Sequence, residues 1–123
     1  MEEKVVNFDQ KEYEKAQEQA KENTSSTRTL KLKKPFSWEG KEYTEIHFDF
    51  DVLTGEDSLN VEDELQAKGV TLIVPTFNGH YLLGIASRAC VEHLGSDAFK
   101  KMRIADMNAI RSMTRNFMLN SEQ

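Results

Sequence analysis

The sequence lacks the features that would place the chain in a membrane or in an oxidising compartment. Cys90 is the only cysteine among 123 residues, which excludes an intrachain disulfide and any zinc site built from several cysteines. No apolar run approaches the roughly 18 to 20 residues that span a bilayer, and charged residues occupy the beginning of the chain, where a secretory signal would be apolar. We therefore expect no membrane contact and a location in the cytosol.

The chain also lacks the common catalytic and ligand-binding motifs. It contains neither a phosphate-binding Gly-Lys-Ser/Thr loop nor a Gly-x-Ser-x-Gly nucleophile turn. A calcium loop starting at Asp49 fails because Leu53, Thr54 and Asn60 occupy positions that need other residues. The histidines do not fall at metal-ligand spacing; they are His47, His80 and His93. We expect no catalytic residue, no metal and no cofactor, and hence a protein that acts by binding another protein.

Charge is distributed unevenly along the chain, whose formal net charge is −5. Residues 39–66 carry −9, whereas 24–38 carry +4 and 96–119 carry +3. The overall acidity disfavours non-specific binding to nucleic acid. Two interpretations of the asymmetry remain open: solvated faces, or a dipolar surface that favours head-to-tail self-association or an oppositely charged partner.

Residues 1–27 predict an acidic arm that is flexible or partly helical, followed by one domain over residues 28–120. Two segments with a period of two then predict a β-hairpin with a turn at residues 39–40. Pro35 indicates that the first strand ends, bends or lies at an edge there, and Tyr43 is expected to face water. The predicted apolar face consists of Leu30, Leu32, Thr44, Ile46, Phe48 and Phe50.

Helical patterns follow the hairpin and predict an α+β fold, in which the hairpin packs against about three to four α-helices. The first helix begins at Thr54, with Asp57 as its capping-box partner, and ends at residues 68–69. Residues 70–74 predict either a short strand or a buried extended link. A helix over residues 76–94 is the most apolar element. Its stripe of helically spaced residues includes Cys90, which is expected to be buried, and His93, which is expected to be exposed or hydrogen-bonded. A short turn follows this helix, and Asp106 is expected to cap the last helix.

Two features offer a surface for a partner. The last helix has an apolar stripe in which either Met113 or Thr114 takes the central position, with the arginines outside it. Trp38, beside the hairpin turn, either anchors a partner or covers the edge of its own sheet. The predicted partner-binding residues are Trp38, Arg111, Arg115 and Met118, with the last three outermost on the last helix.

Short motifs occur in a characteristic order along residues 28–119. The first four are Leu-Lys-Lys-Pro-Phe at 32–36, Glu-Gly-Lys at 39–41, Tyr-Thr-Glu-Ile at 43–46 and Leu-Thr-Gly-Glu-Asp at 53–57. A mostly apolar helix follows them. Asp97 and Asp106 then begin the last two segments, and Phe117-Met118 ends the pattern. This order resembles the tail assembly chaperones of long-tailed bacteriophages and prophages.

The resemblance implies a function in the cytoplasm of the bacterial host. Such a chaperone binds the tape measure protein, keeps it soluble until the tail tube polymerises around it, and is not retained in the virion. The chain would also associate with further copies of itself as a homo-oligomer, or with a longer, frameshifted form of itself. Two alternatives remain: a structural tail completion or connector subunit retained in the virion, and a small DNA-binding regulator. The acidity and the missing helix-turn-helix argue against the regulator, whose basic residues would be Lys100, Lys101, Arg103, Arg111 and Arg115.

Overall fold

The computed structural model describes residues 26–121, which form an α+β fold in which a two-stranded antiparallel sheet is followed by four helices. The elements are β1 (Thr27–Trp38), β2 (Lys41–Asp49), α1 (Gly55–Ala67), α2 (Gly79–Ala89), α3 (Ser96–Phe99) and α4 (Ile104–Ser121), with 3-10 turns at Phe50–Val52 and Pro75–Phe77. The predicted fold class is confirmed. The predicted arm lies outside the described residues, except for Ser26 and for Thr27, where β1 begins.

The hairpin turn has the backbone geometry that its two residues favour. Glu39 and Gly40 both have positive φ, 49° and 81°, as a two-residue type I′ turn requires. Further down the hairpin the register shifts between Lys31 and Phe36, so that four residues of β1 lie opposite Thr44 alone. Pro35 lies in this bulge, where its missing N–H costs no ladder hydrogen bond.

The bulge changes which residues of β2 face the core. Ile46, Phe48 and Phe50 are buried, as the alternation predicts. Thr44 is exposed, however, and Tyr43 is half-buried and packs against the core. The prediction for these two residues was wrong because extra residues in β1 re-orient the tip of the hairpin relative to its base.

Helix α1 begins where the sequence indicates. The Asp57 N–H donates to Thr54 Oγ1 at 3.4 Å, and the Thr54 N–H donates to Asp57 Oδ2 at 2.8 Å. These reciprocal bonds form the predicted capping box and satisfy backbone donors that the first helical turn leaves free. The helix ends at Ala67, close to the predicted stop.

Helix α2 is shorter than predicted, because a local cap sets its start and a tertiary contact interrupts its end. Asn78 caps its start, with Oδ1 accepting from the Tyr81 N–H at 3.1 Å. After Ala89 the chain turns extended: Cys90 forms a β-bridge with Phe48. Cys90 is buried as expected. His93 is exposed and has a φ of 60°, so its predicted place within the helix was wrong.

The segment between α1 and α2 is a link rather than a strand. Val70 and Leu72 are half-buried, and Leu72 packs against α1 and α2 residues. Ile73 and Val74 face outward, so the predicted burial of this apolar run is wrong for them. Pro75, which opens the 3-10 turn, lacks the N–H that a continuing strand would donate.

Helix α4 begins two residues before the predicted cap. Asp106 therefore lies in the first helical turn and is buried. Its Oδ1 accepts a hydrogen bond from the Lys33 N–H at 3.2 Å, which joins α4 to the bulge in β1. The prediction that Asp106 caps the helix was wrong, because the carboxylate serves a backbone donor of the hairpin.

The main core lies between the inner face of the hairpin, α2 and α4. Phe50 stacks on Phe117 with 4.8 Å between ring centroids, and Phe48 contacts Phe99 at 6.0 Å. Thr114, not Met113, takes the fully buried position of α4. Between residues 26 and 121, no helix combines the length and apolar content needed to cross a membrane.

Candidate partner-binding surface

Arg115 connects α4 to the segment that precedes α2. Its Nε donates to the Thr76 carbonyl at 3.2 Å. Its guanidinium carbon lies 5.3 Å from the centroid of the Phe77 ring, within the range of a cation–π contact. These two contacts fix the position of Phe77 at the surface.

Exposed apolar residues lie next to this contact in the sequence. Ile73 is 88% exposed, Val74 52% and Phe77 61%. Single exposed apolar residues are normal on protein surfaces, but three within five residues form a patch of the kind that marks interaction sites. We call Ile73, Val74, Phe77 and Arg115 the 73–77 patch.

One helical turn earlier, Arg111 lies against the first residue of α2. A methyl group added at Gly79 would lie 3.0 Å from the guanidinium carbon of Arg111. The absence of a side chain at Gly79 therefore allows this close approach. The Arg111 Nε is buried and has no hydrogen-bond partner.

Beside this contact is a cavity of about 390 Å³, which we call the Arg111 pocket. It is lined by Gly79, His80, Leu83, Lys100, Met107 and Arg111. No acidic residue lines it, and no carboxylate within residues 26–121 forms an ion pair with Lys100 or Arg111. The N-terminus of α2 adds partial positive charge, and its first turn contains no acidic residue.

The structure brings two of the four predicted partner-binding residues into this region. Arg111 and Arg115 are four residues apart and therefore lie on the same side of α4. Both are half-buried, so their predicted outermost position is wrong, because the segment before α2 packs over this side of the helix. Whether they bind a partner stays a prediction.

Met118 and Trp38 lie elsewhere. Met118 is half-buried and packs against a cluster that includes Val61 and Leu82, so it is not outermost either. Trp38 is half-buried, stacks on Phe36 with 6.0 Å between centroids, and packs against the core. Its packing fits the alternative in which it covers its own hairpin.

The sequence interpretation missed the exposed side chains of the 73–77 patch. An apolar run from residue 70 to 74 was visible, but its periodicity could not show which members face outward. Gly79 was missed for another reason: its importance depends on how closely α4 approaches α2.

A separate polar cluster joins β2 to the residues after α2. The Glu92 carboxylate accepts from the His47 N–H at 2.8 Å and lies 2.6 Å from His47 Nδ1. The hydrogen bond to Glu92 raises the pKa of His47, with burial opposing. Burial alone would raise the pKa of Glu92, but hydrogen bonds from the side chain and backbone of His47 lower it overall. Within the described chain, no group of three or more His, Cys, Asp or Glu residues is arranged to hold a metal ion.

Comparison with known proteins identifies no relative of this chain. No protein-family model matches it, and neither a curated protein nor a solved structure is detectably similar.

Proposed function

We propose that this protein binds another protein through the 73–77 patch and the Arg111 pocket, and that it is a phage tail assembly chaperone whose client is the tape measure protein. The observation that carries the binding proposal is the exposed apolar patch bordered by arginines that form no ion pair within residues 26–121. The identity of the client rests on the resemblance in motif order.

The composition of the surface indicates what kind of segment it would bind. Exposed apolar side chains beside positive charge complement an amphipathic helix with apolar and acidic residues. A long helical client presents such segments repeatedly, so several copies of a small domain can bind along it. If neighbouring copies contact one another, binding of one copy raises the effective concentration of the next. A homo-oligomer along the client in the host cytoplasm follows from the same proposal.

Co-expression with the tape measure protein of the same phage tests the proposal. We expect a soluble complex with several copies of this chain per client, measured by size-exclusion chromatography with light scattering. Precipitation of the client while this chain elutes alone would contradict the chaperone function. Stoichiometric amounts of the chain in purified virions would instead support a tail completion or connector subunit.

Charge reversal tests whether the arginine side of α4 is involved. Arg115→Glu replaces the cation that contacts Phe77, and we expect it to reduce recovery of the complex. Arg103→Glu is the matched control, because Arg103 is exposed and belongs to neither the 73–77 patch nor the Arg111 pocket. Equal recovery with both variants would remove Arg115 from the proposed surface.

A further inference from the structure

We propose that the Arg111 pocket binds the carboxylate of an aspartate or glutamate side chain presented by the partner protein. This inference deepens the proposed function and rests on it for the identity of the partner. The carboxylate chemistry is argued from the pocket alone and can be tested without the partner.

The first step is the orientation of the guanidinium group. The Arg111 Nε is enclosed and lies 3.1 Å from the position of a methyl group at Gly79. The terminal nitrogens of Arg111 are not enclosed, and no described residue accepts a hydrogen bond from them. The terminal nitrogen Nη2 also lies 3.1 Å from the position of that methyl group. Contact with Gly79 therefore holds the guanidinium in place, and its terminal nitrogens keep N–H donors that a carboxylate can accept.

The second step is the charge around this donor pair. Lys100 lines the same cavity as Arg111, and Gly79, the first residue of α2, contacts the Arg111 guanidinium. Cations near a helix N-terminus repel its dipole, so this arrangement is unfavourable when nothing negative is bound. An anion in the pocket would relieve the repulsion and satisfy the unpaired donors together.

The third step distinguishes a carboxylate from a phosphate. Leu83 and Met107 provide an apolar wall that suits the methylene groups of an acidic side chain. Phosphate sites at helix N-termini use free backbone N–H groups, and here the Asn78 side chain already occupies one of them by accepting the Tyr81 N–H. The charged donors that line the pocket are one guanidinium and one ammonium group.

A titration of the full-length, isotope-labelled chain followed by NMR tests this chemistry. The probes are acetyl-glutamate amide, its neutral counterpart acetyl-glutamine amide, and inorganic phosphate. We expect saturable shifts of the Gly79 and His80 amide signals with the glutamate probe, with an affinity on the order of 1–10 mM for so small a ligand. Equal shifts with the glutamine probe, no shifts, or tighter binding of phosphate would overturn the proposal.

Two variants assign the binding to Arg111. Arg111→Gln removes the charge and the charge-assisted hydrogen bond, and we expect a loss of affinity of at least about tenfold, which corresponds to ~1.4 kcal/mol. Gly79→Ala leaves all charges in place but displaces the guanidinium, and we expect severalfold weaker binding with the fold retained. Arg103→Gln is the control with the same charge change outside the pocket, and it should bind the probe like the wild type. Wild-type affinity in Arg111→Gln would overturn the assignment.

The same variants separate this inference from the proposed function. If the glutamate probe binds the pocket but the tape measure protein is not held in solution, the proposed client is wrong and the carboxylate site stands. If the client is held equally well by the wild type, Arg111→Gln and Gly79→Ala, the pocket does not contact it and the inference fails while the chaperone function stands.

Discussion

At the scale of single residues, Glu92 shows how one carboxylate fixes the chain after α2. It accepts hydrogen bonds from both the backbone and the ring of His47, beside the point where the Val91 N–H donates to the His47 carbonyl at 2.8 Å. The extended segment after α2 therefore pairs with part of the outer edge of β2. Without this segment, backbone N–H and C=O groups at that edge would lack hydrogen-bond partners within the sheet. Periodicity could not predict this, since it depends on residues 45 positions apart in the sequence.

The His47–Glu92 pair predicts a specific pH dependence. Because the pKa of His47 is raised from 6.5, its contribution to stability is fully present below pH 6.5 and declines as the pH rises through the raised value. Because the pKa of Glu92 is lowered from 4.5, its contribution is present above pH 4.5 and is lost on acidification through the lowered value. The pair therefore stabilises the fold most between these two values.

Urea unfolding of the wild type and Glu92→Gln measures this effect. We expect the difference in free energy of unfolding between them to be larger at pH 5.5 than at pH 9. Glu45→Gln is the control, because its carboxylate is 3.9 Å from His47 Nε2 and half-exposed, so its removal should change stability little. A difference for Glu92→Gln that does not vary with pH would rule out the charged pair as its source.

The residue scale also shows the limit of sequence interpretation at the candidate surface. Helical spacing placed Arg111 and Arg115 outside the apolar stripe of α4, but both are half-buried. It could not show that Arg111 lies against Gly79, a residue 32 positions earlier, or that Arg115 contacts Phe77. Local spacing determines the side of a helix on which a residue lies, but the packing of other elements determines what covers that side.

At the scale of elements, the contact between α1 and α2 depends on a missing side chain. A methyl group at Gly84 of α2 would lie 2.7 Å from Val61 Cγ1 of α1, and Val61 is buried. We predict that Gly84→Ala destabilises the protein, because overpacking a core costs ~1–3 kcal/mol, more than the gain of about 1 kcal/mol in helix propensity. Thermal or urea unfolding measures the change.

A double variant provides the control for this prediction. In Val61→Ala with Gly84→Ala, the smaller residue on α1 makes room for the added methyl group. We expect the double variant to lose less stability than the sum of the two single variants. Strict additivity would show that the two positions do not clash.

The link between the hairpin and α4 gives a second prediction at this scale. Asp106→Ala leaves the Lys33 N–H without its acceptor, and we expect a loss of about 1 kcal/mol or more in free energy of unfolding. Asp106→Asn keeps an oxygen that can accept this bond and should retain more of the stability. Equal losses in both variants would show that the contact with the Lys33 N–H is not what Asp106 contributes.

Element types were easier to predict than element ends. The start of α1 was predictable because its capping box is local, with both partners within three residues. The end of α2 was not, because the β-bridge between Cys90 and Phe48 interrupts a sequence pattern that continues at helical spacing. Pro35 indicated an irregular first strand, but not how the bulge would exchange the environments of Tyr43 and Thr44.

At the scale of the whole molecule, the α+β arrangement follows from the need to cover one apolar face. A two-stranded hairpin is marginal alone, and the helices that follow it provide the cover. The order of patterns along the chain was therefore enough to predict the fold class. The charge asymmetry is also visible in the sequence, but whether it brings copies together head to tail remains a prediction.

The most direct test of the central claim is recovery of the co-expressed tape measure protein by two matched variants, Phe77→Ser and Leu59→Ser. Both side chains are apolar and 61% exposed, but only Phe77 belongs to the 73–77 patch. Binding through this patch predicts that Phe77→Ser loses most of the soluble complex, whereas Leu59→Ser forms it like the wild type. Undiminished complex with Phe77→Ser, or equal losses with both variants, would contradict the claim.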